Sequence, residues 1–435
     1  MKKALLLAYF FPPRMTTGSL RALYLAKYLP KFGWHVTVVT AKFSTGAPPE
    51  WADVIQTDYD DIIRRVKRYA GMRSEVSAHA FLGSTSPKMG TRMTLKQRLV
   101  EHAYRIFTFP DPYVGWFKPG VRATRKLLSS SSYDALITTS YPYTAHLIAK
   151  RALIGRSTPW IADLRDAWRD NHYEISKIRS TLNGWVERTT LKRATAITTV
   201  SSPLARLIGA NNPATPTVAV PNGFDPDEWL DVPFLRPAKF TLTYAGSLLQ
   251  GFRDPEPLFD ALLDEFQTAA IERNLVEIVL YVRREEWLEE SIARRGLGDV
   301  VTMKGYVDRA EVLKAERATS VNVLLLRDHP DESGVYTGKL FEYLGAGRPI
   351  IAMGGPEQSV VRDLLHRVGG FYVRTRSEIR ATLRNLYQLH RNGTDLKLSE
   401  AQMEEFSALG MAKRFATVLD TVAAMPSATD DQFLA

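Results

Sequence analysis

Short apolar runs of about four to eight residues alternate along the chain with stretches whose apolar positions recur at helical spacing, the pattern of parallel βα units. In the first half the runs predict strands at residues 4–9, 35–40, 135–139, 160–163, 196–200 and 218–220. In the second half they predict strands at 240–245, 276–282, 300–303, 320–325, 349–353 and 370–373. Two such sets imply an α/β protein of two doubly wound domains. The seam is expected within 221–237, where Pro221-Asn222-Gly223 and three further prolines break the periodicity. The expected domains are therefore 1–224 and 225–410, followed by a terminal helix and tail over 411–435 whose helical part, about 411–424, is compatible with packing on either domain.

The length of 435 residues and the 45% hydrophobic, 24% charged composition are those of an ordinary globular protein. Cysteine is absent, which excludes disulfides, thiolate metal sites and a cysteine nucleophile, and permits a reducing compartment. The apolar start after Met1-Lys2-Lys3 is followed by Pro12-Pro13-Arg14 where a signal peptide would carry a small-residue cleavage site, so it reads as a buried first strand. No stretch reaches the roughly 18 apolar residues of a membrane span, and the expectation is a soluble or peripheral protein.

Charge changes this picture in one place. Lysine and arginine number 57 against 47 acidic residues, a net +10. Residues 62–126 hold fourteen Lys/Arg against Glu75, Glu101 and Asp111, a local +11, so the rest of the chain is near neutral. Within that segment Leu95, Leu99, Val100, Ala103, Ile106 and Phe107 fall at helical spacing beside Arg92, Lys96, Arg98 and Arg105. The segment reads either as a solvated face or as a surface for an anionic membrane or acidic acceptor. Nucleic acid is not expected as a partner, since no binding module accompanies the charge.

Ligands of doubly wound domains bind at the carboxyl ends of strands, so the loops there are the candidates for chemistry. After the first strand, Gly18 precedes a helix carrying Arg21: a turn with its cap, or a loop whose backbone N–H groups approach an anion. Asp163 and Asp166 flank Arg165 at the end of the 160–163 strand, where they would contact a sugar or form a local ion pair. Gly246, Gly251 and Arg253 lead into a helix near Pro255, a combination that suits a diphosphate and equally a surface arginine at a helix start. Thr337-Gly338-Lys339-Leu340 opens a further helix, with Glu342 three residues after Lys339: phosphate and ribose ligands, or a surface Lys–Glu pair. Asp58-Tyr59-Asp60 and Asp225-Pro226-Asp227 match an Asp-x-Asp pattern but stand without further ligands, and no metal is assigned. The eight histidines lack ligand spacing, and neither a Gly-x-Ser-x-Gly elbow nor a Walker loop occurs.

Thr337-Gly338-Lys339-Leu340-Phe341-Glu342-Tyr343-Leu344 with Gly347-Arg348-Pro349 resembles the donor-binding segment of retaining glycosyltransferases of family four, which have the GT-B fold. Residues 9–18, Pro110-Asp111-Pro112 to Trp116, 160–168, Val200-Ser201-Ser202, Pro221-Asn222-Gly223-Phe224-Asp225 and Tyr244-Ala245-Gly246 to Pro255 are similar to further recurrent blocks, so the likeness runs from residue 1 to about 425. It implies two Rossmann-like domains facing a cleft and a nucleoside diphosphate-sugar donor, UDP or GDP, with no cofactor and no metal. Arg253 and Lys339 would hold the diphosphate and Glu342 the ribose. Gly18, Gly246, Thr337, Gly338 and Leu340 would complete the donor site, with Tyr306 and Val307 near the base. The departures are Gly334, where many members carry a sugar-contacting glutamate that Glu332 or the 333–335 backbone would replace, and Asp163 or Asp166, which occupy the loop where a histidine often serves the sugar.

The expectation is a cytoplasmic, peripherally membrane-bound hexosyltransferase acting on a cell-surface polysaccharide or lipid-linked acceptor, with Asp163, Asp166, Arg253 and Lys339 as catalytic residues. The alternatives are a GT-B nucleotide-sugar epimerase, a catalytically silent nucleotide-sugar-binding scaffold, and a membrane-binding module that needs only the basic segment.

Overall fold

A computed structural model describes residues 1–43, 46–60, 108–169, 177–394 and 397–425. The amphipathic stretch expected around 92–107, and with it most of the basic segment, lies outside the described residues. The chain separates into two compact units, one formed by residues 1–220 with the chain from Ala412 onward, the other by 221–411.

Among the described residues the first unit has seven parallel strands: β1 (Lys2–Leu7), β2 (Trp34–Ala41), β3 (Asp53–Thr57), β4 (Ala135–Thr139), β5 (Trp160–Leu164), β6 (Ala196–Thr199) and β7 (Thr217–Ala219), in the order β3-β2-β1-β4-β5-β6-β7. Between them run α1 (Thr17–Tyr28), α2 (Phe117–Ser130), α3 (Thr144–Ala152), α4 (Lys177–Leu191) and α5 (Ser202–Asn211). Ala4, Leu5, Leu6 and Leu7 are all fully buried, because helices cover both faces of the sheet. Each buried leucine contributes about 1.5–3 kcal/mol. Leu5 and Leu7 pack with Leu136, Ile148, Trp160 and Trp168.

Strand β3 is an addition to the sequence reading. Its Asp53-Val54-Ile55-Gln56-Thr57 is too short and too polar to register as an apolar run, and its outer positions are exposed. Pairing to β2 makes it a strand, reinforced by Thr37 Oγ1 donating to Asp53 at 2.6 Å and Thr57 Oγ1 to the Thr40 carbonyl at 3.1 Å.

The second unit has six parallel strands, β8 (Phe240–Ala245), β9 (Val276–Tyr281), β10 (Val301–Met303), β11 (Val321–Leu326), β12 (Ile350–Gly354) and β13 (Phe371–Val373), in the order β10-β9-β8-β11-β12-β13. Its helices are α6 (Glu256–Gln267), α7 (Glu286–Arg294), α8 (Arg309–Arg317), α9 (Gly338–Ala346), α10 (Val360–Val368), α11 (Arg376–Arg391) and the single turn α12 (Glu400–Met403). The last helix, α13 (Ala408–Ala423), belongs for most of its length to the first unit. There Lys2 Nζ and Trp34 Nε1 both donate to Asp420 Oδ1, at 2.9 and 3.0 Å.

In both sheets the strand order reverses direction once, at β1/β4 and at β8/β11. The crevice outside the carboxyl ends at such a reversal is where open α/β sheets bind ligands.

Candidate functional site

In the second unit the residues around the β8/β11 reversal converge through local rules. Thr337 caps α9, its Oγ1 accepting from the Leu340 N–H at 3.4 Å. Leu340, Phe341, Tyr343 and Leu344 are buried, which turns Lys339 and Glu342 toward the opposite face. The helix ends at Gly347, whose φ of +71° is the left-handed turn that stops it before Pro349. The buried Tyr343 hydroxyl accepts the Ala245 N–H at 3.2 Å and so ties α9 to the end of β8, one residue before Gly246. The Leu340 side chain lies in the core; only its backbone N–H stands at the helix start.

After Gly246 the chain makes a tight turn. Leu249 N–H donates to the Arg253 carbonyl at 3.0 Å and Arg253 N–H to the Leu249 carbonyl at 2.7 Å, with Gly251 at φ +74° between them. Asp254 accepts from the Gly251 and Glu256 N–H groups at 2.8 and 3.2 Å, fixing the start of α6. Arg253 is half-buried in this turn and has no carboxylate partner among the described residues. It stands near Tyr244, whose phenol burial pushes up to about 12 while the guanidinium acts against the rise. One residue beyond β11, the Arg327 guanidinium lies over the exposed Phe252 ring at 5.0 Å, linking the β8 and β11 loops.

Lys339 and Glu342 belong to a row of alternating charges. Lys339 Nζ is 2.6 Å from Glu342 Oε2 and 3.2 Å from Glu316 Oε1. The second Glu342 oxygen accepts from Arg309 Nη1 at 3.2 Å, and Arg309 Nη2 reaches Glu228 at 2.7 Å. Burial alone would lower the Lys339 ammonium, but Glu316 and Glu342 outweigh it and hold it above its ordinary value. Arg309 opens α8 directly after the loop Gly305-Tyr306-Val307, in which Tyr306 is exposed and Val307 half-buried. The loop expected near the base is thus joined, through Arg309, to the carboxylate expected on the ribose. Ser333 and Val335 are half-buried, the Ser333 carbonyl accepting from the Val360 N–H at 2.9 Å and the Val335 N–H donating to the Glu332 carbonyl at 3.1 Å.

In the first unit Gly18 is the second residue of α1, and its carbonyl accepts from Arg165 Nη1 at 2.9 Å. A Cβ there would come within 3.3 Å of Thr16 Oγ1 and 3.4 Å of Arg165 Nη2, so the residue is small because the start of the helix is crowded. Asp163 does not fit the part of a sugar-contacting or catalytic residue. Its carboxylate is fully buried and accepts from Arg21 Nε and Nη2, both at 2.8 Å, from Thr139 Oγ1 at 2.7 Å and from Thr198 Oγ1 at 2.8 Å. Burial would raise it, but Arg21 and the two hydroxyls keep it below the usual carboxylate range. With its acceptor positions filled, it is an internal anchor. Asp166, two residues past β5, is exposed, and its charge acts on the neighbouring Arg165 guanidinium.

Sequence reasoning missed Glu316, Arg309 and Arg327. The signal for Glu316 was present: it lies three residues after Leu313 on the buried face of α8. Asp225 of the Asp-x-Asp pair caps its own turn, accepting the Asp227 N–H at 3.0 Å. Among the described residues no group of three or more His, Asp or Glu is placed to hold a metal, and no helix is long and apolar enough to cross a membrane.

Residues 17–223 match the family described as glycosyl transferase 4-like domain. No curated protein matches the chain in sequence. Among solved structures, the sucrose-phosphate synthase of Thermosynechococcus elongatus is 14% identical with a TM-score of 0.62, covering 98% of this chain and 100% of its own. A structure described as trehalose-6-phosphate from E. coli bound with UDP-2-fluoro glucose is 11% identical with a TM-score of 0.60, covering 98% and 100%. The lipopolysaccharide outer core galactosyltransferase WaaB is 12% identical with a TM-score of 0.55, covering 97% and 99%. Likeness at these identities shows the fold, two Rossmann-like domains of the GT-B kind.

Proposed function

From a chain that has the GT-B fold and carries a glycosyl transferase 4-like domain, the family-four type, we propose a retaining, metal-independent hexosyltransferase. It takes a sugar from a nucleoside diphosphate donor, UDP or GDP, and delivers it to a cell-surface polysaccharide or lipid-linked acceptor. The observation that carries the reading is that Arg253, without a carboxylate partner among the described residues, follows β8, while the Lys339–Glu342 pair opens the helix that follows β11, the two strands that flank the reversal.

In this reading Arg253 and Lys339 hold the diphosphate. Charge on the leaving diphosphate grows as the glycosidic bond to it breaks, and two fixed cations stabilise that growth more than they stabilise the bound donor. They supply what a divalent ion would otherwise supply, so chelators are expected to leave the reaction intact. Glu342 exchanges Arg309 and Lys339 for the ribose diol, and the Gly305-Tyr306-Val307 loop meets the base. No protein nucleophile is invoked: the acceptor attacks the face from which the diphosphate departs. Asp166 is the carboxylate of the first unit left available for the acceptor. The basic segment 62–126 is assigned to an anionic membrane surface on the cytoplasmic side, which suits a lipid-linked acceptor.

The test is release of nucleoside diphosphate from UDP-, GDP-, ADP- and dTDP-sugars with EDTA present, comparing wild type with Lys339→Ala and Glu342→Ala. Slow release from one donor, lost in both variants, is the expected result. Absence of binding of every donor by calorimetry would refute the reading.

A further inference from the structure

Glu316 has no part in the reading above. It sits on the buried face of α8 with no exposed surface, Oε1 at 3.2 Å from Lys339 Nζ and Oε2 without a hydrogen-bond partner among the described residues. A carboxylate at that depth with half its acceptor capacity unused is tolerated only because an opposite charge stands beside it. From Lys339, itself 28% exposed on its side chain, the alternating row continues through Glu342 and Arg309 to Glu228. A ribose that takes Glu342 removes one of the two carboxylates that hold the ammonium. The other is Glu316, which no ligand can reach.

Resting on the donor-site reading, we propose that Glu316 is a positioning residue for transfer: it anchors Lys339 from the interior, so that the ammonium stays aimed at the departing phosphate once the ribose has taken Glu342. The groups facing Glu316 are Lys339, Glu342, Arg309 and the Tyr343 hydroxyl. Burial outweighs the pull of Lys339 and holds the Glu316 carboxyl above its ordinary value, so the anchor weakens as pH falls.

Glu316→Gln keeps the shape and removes the charge. Trace acetylation with an N-hydroxysulfosuccinimidyl ester at pH 8, read by mass spectrometry against the exposed Lys413, is expected to modify Lys339 about threefold or more faster in this variant, because the ammonium loses the charge that keeps it protonated. Equal labelling overturns the anchor. Calorimetry with UDP, GDP, ADP and dTDP then separates positioning from bulk electrostatics. Loss of a negative charge near a diphosphate should by itself tighten binding, whereas a lost anchor weakens it, by about tenfold, with Glu316→Asp recovering most of the affinity. Unchanged or tighter binding in Glu316→Gln overturns the proposal. Accelerated labelling together with a wild type that binds none of the four nucleotides refutes the donor reading, and with it the role in transfer, a pattern distinct from equal labelling.

Discussion

Arg21 in α1 and Asp163 at the end of β5, 142 positions apart, form a buried bidentate pair, Nε to Oδ2 and Nη2 to Oδ1, both at 2.8 Å. Both side chains are almost completely sealed from solvent. The pair fastens the first helix of the chain, three residues after Gly18, to the fifth strand.

Breaking it leaves a buried charge without its partner. Asp163→Ala or Arg21→Ala is expected to destabilise the first unit by about 3–5 kcal/mol. The double replacement Arg21→Met with Asp163→Leu is expected to cost less than the sum of the single changes, because no charge is then stranded. Urea denaturation followed through the tryptophans of that unit measures both. Nucleotide binding, proposed for the second unit, should survive in Asp163→Ala under native conditions; its loss would restore Asp163 to the site.

Arg253 gives the opposite expectation. With no carboxylate partner among the described residues, its removal strands nothing, so Arg253→Ala should leave the melting temperature within a few degrees of wild type. Affinity for a nucleoside diphosphate should drop by about 10- to 100-fold. Arg253→Lys should recover part of the loss, since an ammonium supplies the charge without the planar fork. Titration calorimetry beside a thermal melt distinguishes this from a structural arginine.

His146 sets an acid-side slope. Its Nδ1 is 2.7 Å from Thr138 Oγ1, its Nε2 has no partner among the described residues, and burial pushes the imidazole from 6.5 down to about 3. The unfolded chain takes up a proton below pH 6.5 that the native chain refuses until about pH 3. Stability contributed by this residue is complete above 6.5 and falls as pH drops toward 3. Replacing His146 by Gln should flatten the slope of unfolding free energy against pH in that interval; a slope equal to wild type would contradict the assignment.

Gly345 is in the interior of α9, where alanine ordinarily stabilises a helix by about 1 kcal/mol. Here a Cβ would come within 2.6 Å of Trp229 Cε2 and 2.9 Å of its Cδ1. Gly345→Ala is therefore expected to destabilise the second unit by about 1–3 kcal/mol. Because α9 carries Lys339 and Glu342, nucleotide affinity should fall with it. A stabilised variant would show that Trp229 yields.

The doubly wound fold was legible because parallel strands buried on both faces leave continuous apolar runs: Ala4 to Leu7 and Val323 to Leu325 need no tertiary information to be seen. The family likeness was legible for a related reason, since the cap Thr337, the buried Leu340, Phe341 and Leu344 and the stop at Gly347 are local requirements of one short helix. Edge strand β3 was not, because its stability comes from pairing with β2 and two threonine hydroxyls. Asp163 misled for the same reason in reverse. At the end of a strand its type and spacing suit a sugar ligand, and only the arrival of Arg21, Thr139 and Thr198 from three other elements shows its acceptor capacity to be spent. Glu316 was hidden by the habit of reading glutamate as a surface residue, although the period of α8 turned it inward.

One consequence of the second unit's edge reaches beyond binding. The Phe224 N–H donates to the Phe406 carbonyl at 3.1 Å, and the Ala408 N–H to the Phe224 carbonyl at 2.6 Å. The two ends of that unit are thus hydrogen-bonded neighbours, and the unit is a single unbroken stretch of chain inserted into the first unit's sequence. Such a segment can be cut out, joined end to end and reopened elsewhere without stretching the backbone, which makes it a natural cassette for exchange between chains of the same architecture.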